Sequence, residues 1–221
     1  MCDEAVWSHQ KQHLSELADI VIPDFRGFDS LQIMAEYVLQ QAPPNFALAG
    51  HSMGGRVALE IVNMAPERVQ RLALVETGAY PLVPGEAQAR QALVDLAREG
   101  GIQAVAENWI KAMVHPDRQS DQVLFESIRV MLLRTSVDDF IRQVHALLTR
   151  PDAIPYLENI SCRTLVIAGQ HDTLYTVAQT EQMLARLQNA YLKILDAGHM
   201  ATMEIPEQVT KCLAEWLAAP E

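Results

Sequence analysis

From Ala18 onward, short runs dense in Val, Ile and Leu alternate with longer stretches whose apolar residues recur at helical spacing. That alternation marks a mostly parallel sheet covered by helices, since parallel neighbours need a crossover between them. The strand-like runs are Asp19-Ile20-Val21-Ile22-Pro23, Phe46-Ala47-Leu48-Ala49, Arg71-Leu72-Ala73-Leu74-Val75, Thr164-Leu165-Val166-Ile167-Ala168 and Tyr191-Leu192-Lys193-Ile194-Leu195. Most lack strict polar-apolar alternation, as expected of strands covered on both faces. Between them, Gly55 to Ala65 carries Val57, Leu59, Ile61 and Val62 at helical spacing, and Pro66 ends it. The last helix opens at Pro206 and sets Val209, Cys212, Leu213 and Trp216 on one face.

Residues 81–155 break the alternation. They read as consecutive helices, Glu86 to Arg98, Ile102 to Val114, Gln122 to Arg134 and Val137 to Leu148, separated by Gly100-Gly101, His115-Pro116 and Thr135-Ser136. The expected fold class is α/β: a mostly parallel sheet flanked by helices, formed by residues 1–80 and 156–221, with an all-helical insertion over residues 81–155. Within that insertion Ala106, Trp109, Ile110 and Met113 form a helical stripe, which suits ordinary core or a pocket wall.

A length of 221 residues fits one domain, and 49% hydrophobic with 20% charged residues fits a folded globule rather than a disordered chain. The net charge of −11 leaves no broad basic surface, so no nucleic-acid partner is expected. The apolar runs are strand-length, far short of a bilayer span. The start carries Asp3 and Glu4 rather than a basic leader, so no membrane partner and a cytoplasmic location are expected. The three cysteines lack any CxxC spacing. His9 and His13 have helical i, i+4 spacing but neither an HExxH glutamate nor a third ligand, so no disulfide framework, metal or cofactor is expected. No pattern in the sequence sets an oligomeric state.

Chemistry enters at Gly50-His51-Ser52-Met53-Gly54, which comes directly after one strand-like run and opens a helix. Strand, sharp turn and helix form a nucleophile elbow, and small flanking residues are needed because Cβ atoms would crowd the turn. A serine hydroxyl needs a base, and histidine has a suitable pKa. His199, in Asp196-Ala197-Gly198-His199-Met200, lies between the last strand-like run and the last helix. The third partner should be a carboxylate that orients the imidazole. Asp172, in Gly169-Gln170-His171-Asp172, fits, with Asp196 and Glu204 as alternatives nearer His199 in sequence. Ser52, Asp172 and His199 are all expected at carboxyl ends of strands, where open α/β sheets collect their ligands. His51, Trp109 and Met113 are candidate pocket residues.

On these motifs the chain resembles the α/β-hydrolase superfamily, of the small bacterial esterase and acyl-hydrolase kind, from about Met1 to Leu217. Pro23-Asp24-Phe25-Arg26-Gly27 resembles the family's PDxRGxG turn, with Asp29 in place of the second glycine. The helical insertion resembles the family's cap, and Met200 to Pro206 the stretch after its histidine. The resemblance implies Ser52 as nucleophile, His199 as base, Asp172 as acid and the Met53 N–H as one oxyanion donor. It also implies that the N-terminal strands and the HG-type loop carrying a second donor are lacking, since Met1 to Trp7 resembles the family's segment just past that loop. The runs at Asp19 and Phe46 are then expected either to leave a gap or to pair directly. The implied activity is cleavage of a small-molecule ester or thioester through an acyl-enzyme. C–C bond hydrolysis, acyl transfer and peracid formation use the same residues, and a non-catalytic ligand-binding module or inactive fragment is the alternative of another class.

Overall fold

The protein, described over residues 2–219 by a computed structural model, is built on one sheet of four parallel strands. Met1, Pro220 and Glu221, at the ends of the two expected core segments, lie outside the described residues. The strands β1 (Phe46–His51), β2 (Val69–Val75), β3 (Arg163–Gly169) and β4 (Ala190–Leu195) stand side by side in sequence order. The helices are α1 (Ser8–His13), α2 (Leu31–Gln41), α3 (Met53–Met64), α4 (Glu86–Met113), α5 (Gln122–Leu133), α6 (Val137–Leu148), α7 (Ile154–Leu157), α8 (Val177–Leu184), α9 (Ala201–Glu204) and α10 (Pro206–Ala218).

Successive side chains of a strand face opposite ways, and β2 shows the consequence. Leu72 and Leu74 join Val166 of β3 in a core with Met34 of α2, Leu59 and Ile61 of α3, and Met183 of α8. Ala73 and Val75 join Leu165 and Ile167 of β3 in a second core under Val209, Leu213 and Trp216 of α10. Burying each such Leu, Ile or Val side chain contributes about 1.5–3 kcal/mol, so the central strands anchor both layers. β1 and β4 pair on one side only and stay half exposed.

The expected strand at Asp19 to Pro23 does not form. The segment has no ladder partner, and Ile22 and Pro23 line a cleft along the free edge of β1 instead. Its composition suits a strand, but a strand exists only through a neighbour, and Pro23 has no N–H to give one.

Residues 86–148 are mainly helical, and α4 consists of two helices meeting at a kink at Gly101, whose φ of 69° and ψ of −175° are non-helical, as the expected Gly100-Gly101 separation requires. A left-handed backbone is readily adopted by glycine, so the helical hydrogen bonding resumes beyond the bend. α4, α5 and α6 share a core of Ile110, Met113, Ile128, Met131, Phe140 and Val144 that continues onto Val6 and Met200. The two ends of this helical segment are tied by buried Arg150, which donates to Glu86 Oε1 at 2.7 Å and Oε2 at 2.6 Å, and to the Tyr80 and Pro81 carbonyls. Burial opposes the Glu86 charge, but Arg150 and Arg90 outweigh it and hold the carboxyl down to about 2. Among the described residues no helix is long and apolar enough to cross a membrane.

Candidate active site

Ser52 sits between β1 and α3 with φ 53° and ψ −118°, a backbone region that costs a non-glycine residue about 1–3 kcal/mol. Close packing enforces it. A Cβ on Gly50 would overlap the Gly54 carbonyl, and one on Gly55 would collide with the Thr77 side chain. The Ser52 N–H donates to the Val75 carbonyl at 2.9 Å, and Thr77 Oγ1 donates to the Ser52 carbonyl at 2.7 Å. The turn is thereby fastened to β2 and the loop after it.

The loop after β4 brings His199 to this turn, with Nε2 at 2.9 Å from Ser52 Oγ. Its Nδ1 lies 2.8 Å from Asp172 Oδ2, in the loop after β3. The other Asp172 oxygen accepts from the N–H groups of Leu174 at 2.8 Å and Tyr175 at 3.0 Å, which fixes the carboxylate. Three residues widely separated in sequence thus form one hydrogen-bonded chain in which the carboxylate favours a proton on Nδ1, leaving Nε2 free to accept from the hydroxyl. Burial works most strongly against a charged His199, yet the charge and hydrogen bond of Asp172, with the charges of Glu76 and Glu204, outweigh it and raise its pKa.

The sequence alternatives to Asp172 go elsewhere. Asp196 Oδ1 accepts from Nε2 of His115 at 3.2 Å and lies 3.3 Å from Nε2 of His171. Glu204 is buried, where desolvation raises its pKa, and it accepts from the N–H groups of Gly198, Met200 and His115. Two groups of donor atoms close enough to share a metal ion are therefore assembled by the fold, His115 with His171 and Asp196, and His51 with Glu76 and His199. In each, a hydrogen bond already joins a histidine to the carboxylate, His115 to Asp196 and His51 to Glu76. His115 also uses Nδ1 to accept from the Asp117 N–H, which places its remaining proton on Nε2.

The Met53 N–H opens α3, where the helix dipole favours negative charge, and Met53 lines the cleft beside Ser52. His51, Trp109 and Met113 also line it. His51 is buried, and its Nε2 faces Glu76 Oε2 at 3.1 Å and the His199 carbonyl at 2.9 Å. The cleft encloses about 140 Å³, and its other walls include Val6, Trp7, Ile22, Phe25, Leu48 and Leu132. Its one ionisable residue besides the histidines and Cys2 is Asp3, already paired with Arg134 at 2.5 and 2.9 Å. Glu76 and the cradling role of Glu204 were missed in sequence. The available signal was a carboxylate directly after the buried run Arg71 to Val75.

Comparison with known proteins agrees with this architecture. The family described as alpha/beta hydrolase fold matches residues 4–206. The 3-oxoadipate enol-lactonase 2 of Acinetobacter baylyi is 30% identical over 83% of this chain and 66% of its own length, so the chain spans just under two thirds of that relative. The pimeloyl-[acyl-carrier protein] methyl ester esterase of Nitrosomonas europaea is 25% identical over 84% of this chain and 77% of its own. A solved thermophilic esterase from Thermogutta terrifontis, with malate bound, superposes with a TM-score of 0.88 at 27% identity, covering 98% of this chain and 85% of its own. With the sheet, the strained serine turn and these relatives together, the chain belongs to the α/β-hydrolase fold family.

Proposed function

We propose that the protein is a serine hydrolase that cleaves small, uncharged esters or thioesters through an acyl-enzyme. The observation that carries this reading is the hydrogen-bonded chain from Ser52 through His199 to Asp172. In the reaction, His199 Nε2 takes the Ser52 proton as Oγ attacks the carbonyl carbon, and the oxyanion accepts from the Met53 N–H. His199 then gives that proton to the leaving alcohol or thiol. Water, deprotonated by the same nitrogen, attacks the acyl-enzyme and releases the acid, restoring Ser52. The steps use side chains, a backbone N–H and water. The helical segment over residues 81–155 serves as a cap, supplying Trp109 and Met113 to the acyl wall.

The uncharged substrate is argued from the cleft wall: among the described residues its lining contains no Lys or Arg, and its one carboxylate, Asp3, is already paired with Arg134. An anionic acyl chain would lose its hydration with no cation to replace it. Hydrolysis of p-nitrophenyl butyrate by the parent protein and Ser52→Ala tests the reading. The expected loss is at least about 1,000-fold in kcat, and equal rates overturn the assignment. The p-nitrophenyl half-ester of glutaric acid is expected to react at least about tenfold more slowly than the butyrate, a difference of about 1.4 kcal/mol.

A further inference from the structure

Glu76 combines features that ordinary packing does not explain. It comes directly after β2, its side chain is wholly buried, and its φ of 48° makes it, with Ser52, one of two non-glycine residues with positive φ among the described residues. Backbone strain of this kind persists only where surrounding contacts over-determine it, and such residues cluster at working sites. A buried carboxylate is also costly without partners. Among the described residues no Lys or Arg is paired with Glu76. Its oxygens instead meet the Ala201 N–H at 3.3 and 3.1 Å and His51 Nε2 at 3.1 Å.

These contacts bracket His199. Ala201 lies two residues beyond it, and His51 Nε2–H is shared between Glu76 and the His199 carbonyl at 2.9 Å. The same loop is held from the other side by Glu204 through Gly198 and Met200, while the His199 N–H donates to the Met113 carbonyl at 2.6 Å. Gly169 keeps the channel between these groups open, because a Cβ there would press on Glu76 Oε1 and the Gly198 carbonyl. One Glu76 oxygen and one ring nitrogen of His199 lie within 4.8 Å of each other. At that range, away from water, an anion acts appreciably on an imidazolium.

We propose that Glu76 is a positioning residue for His199, seating its loop through His51 and Ala201 and setting a second negative charge beside the imidazole. This rests on reading Ser52, His199 and Asp172 as the catalytic groups. Asp172 orients the ring from Nδ1, and Glu76 fixes the backbone that carries it. When His199 takes the serine proton, the imidazolium forms within reach of two carboxylates rather than one. The titratable groups facing His199 are Asp172 from the loop after β3, Glu76 from the end of β2, Glu204 from α9, His51 from β1, and Tyr175, whose ring centroid lies 5.7 Å away.

The experiment is NMR titration of His199 in Ser52→Ala protein, with and without Glu76→Gln, paired with the pH profile of ester hydrolysis in proteins that keep Ser52. Removing the charge makes the imidazolium harder to form, so His199 is expected to titrate roughly one pH unit lower. The acid limb of kcat/KM is expected to move down by the same amount, and kcat to fall roughly tenfold with KM little changed. Should Glu76→Gln not fold, Glu76→Asp replaces it: withdrawing the carboxylate by one methylene lowers the titration by a smaller step. An unchanged His199 titration, even with a lower melting temperature, overturns the proposal and leaves Glu76 a structural residue. Because the titration is made without the nucleophile, it decides Glu76 whether or not the ester is cleaved.

Discussion

The two walls of the cleft are held in different ways. On one wall the end of β1 and the loops after β2, β3 and β4 are fastened by Val75 to Ser52, Thr77 to Ser52, His199 to Asp172, and Glu204 to the peptides around His199. On the other, the stretch from Ile20 to Phe25 runs past the free edge of β1, and among the described residues none of its backbone N–H groups has a protein partner. The first wall stores two strained backbones; the second stores none. The lesson is that contact density tracks chemistry: reacting groups must be held to fractions of an ångström, whereas a wall need only exclude water and supply apolar area.

The largest effect should come from loosening the tight wall at its turn. In Gly50→Ala the new Cβ overlaps the backbone of Gly54 and Gly55, so the elbow must open. Calorimetry is expected to show a loss of about 3 kcal/mol or more, with esterase activity gone; near-parental stability would mean that the turn is less constrained than its packing implies. At the other extreme, Val21 on the loose wall is 78% exposed. Val21→Thr is expected to leave stability within about 0.5 kcal/mol and activity unchanged. A large loss there would show that this stretch is pinned after all and would erase the contrast between the walls.

The same contrast governs what was legible in the sequence. β2 and β3 could be read because two-sided burial writes dense Val, Ile and Leu runs, β1 and β4 because short apolar runs lead into turns with their own signatures, and α6 because Ser136 caps a clean amphipathic pattern. Asp19 to Pro23 was misread since composition reports the tendency of a run to be covered, while a strand also needs a partner that composition cannot supply. The break between the two helices of α4 was legible at Gly100-Gly101, because a positive φ suits glycine. That Ser52, Asp172 and His199 meet could be anticipated because each sits after a strand in a loop with its own signature. Glu76 could not be, because a single carboxylate after a strand has no signature until the fold sets it beside His51 and Ala201. The meeting of His115, His171 and Asp196 was equally invisible, since it joins three distant loops. Local patterns therefore point to the residues that meet at the cleft, and only the fold identifies what holds them.

The most direct measurement is mass spectrometry of the intact protein after exposure to a fluorophosphonate, which reacts with a serine only when a neighbouring base activates it. One adduct per chain, mapped to the peptide containing Ser52 and absent from Ser52→Ala and from His199→Ala, is the expected result. A folded protein that takes up no adduct, or takes it equally in all three forms, would contradict the assignment of Ser52 as an activated nucleophile.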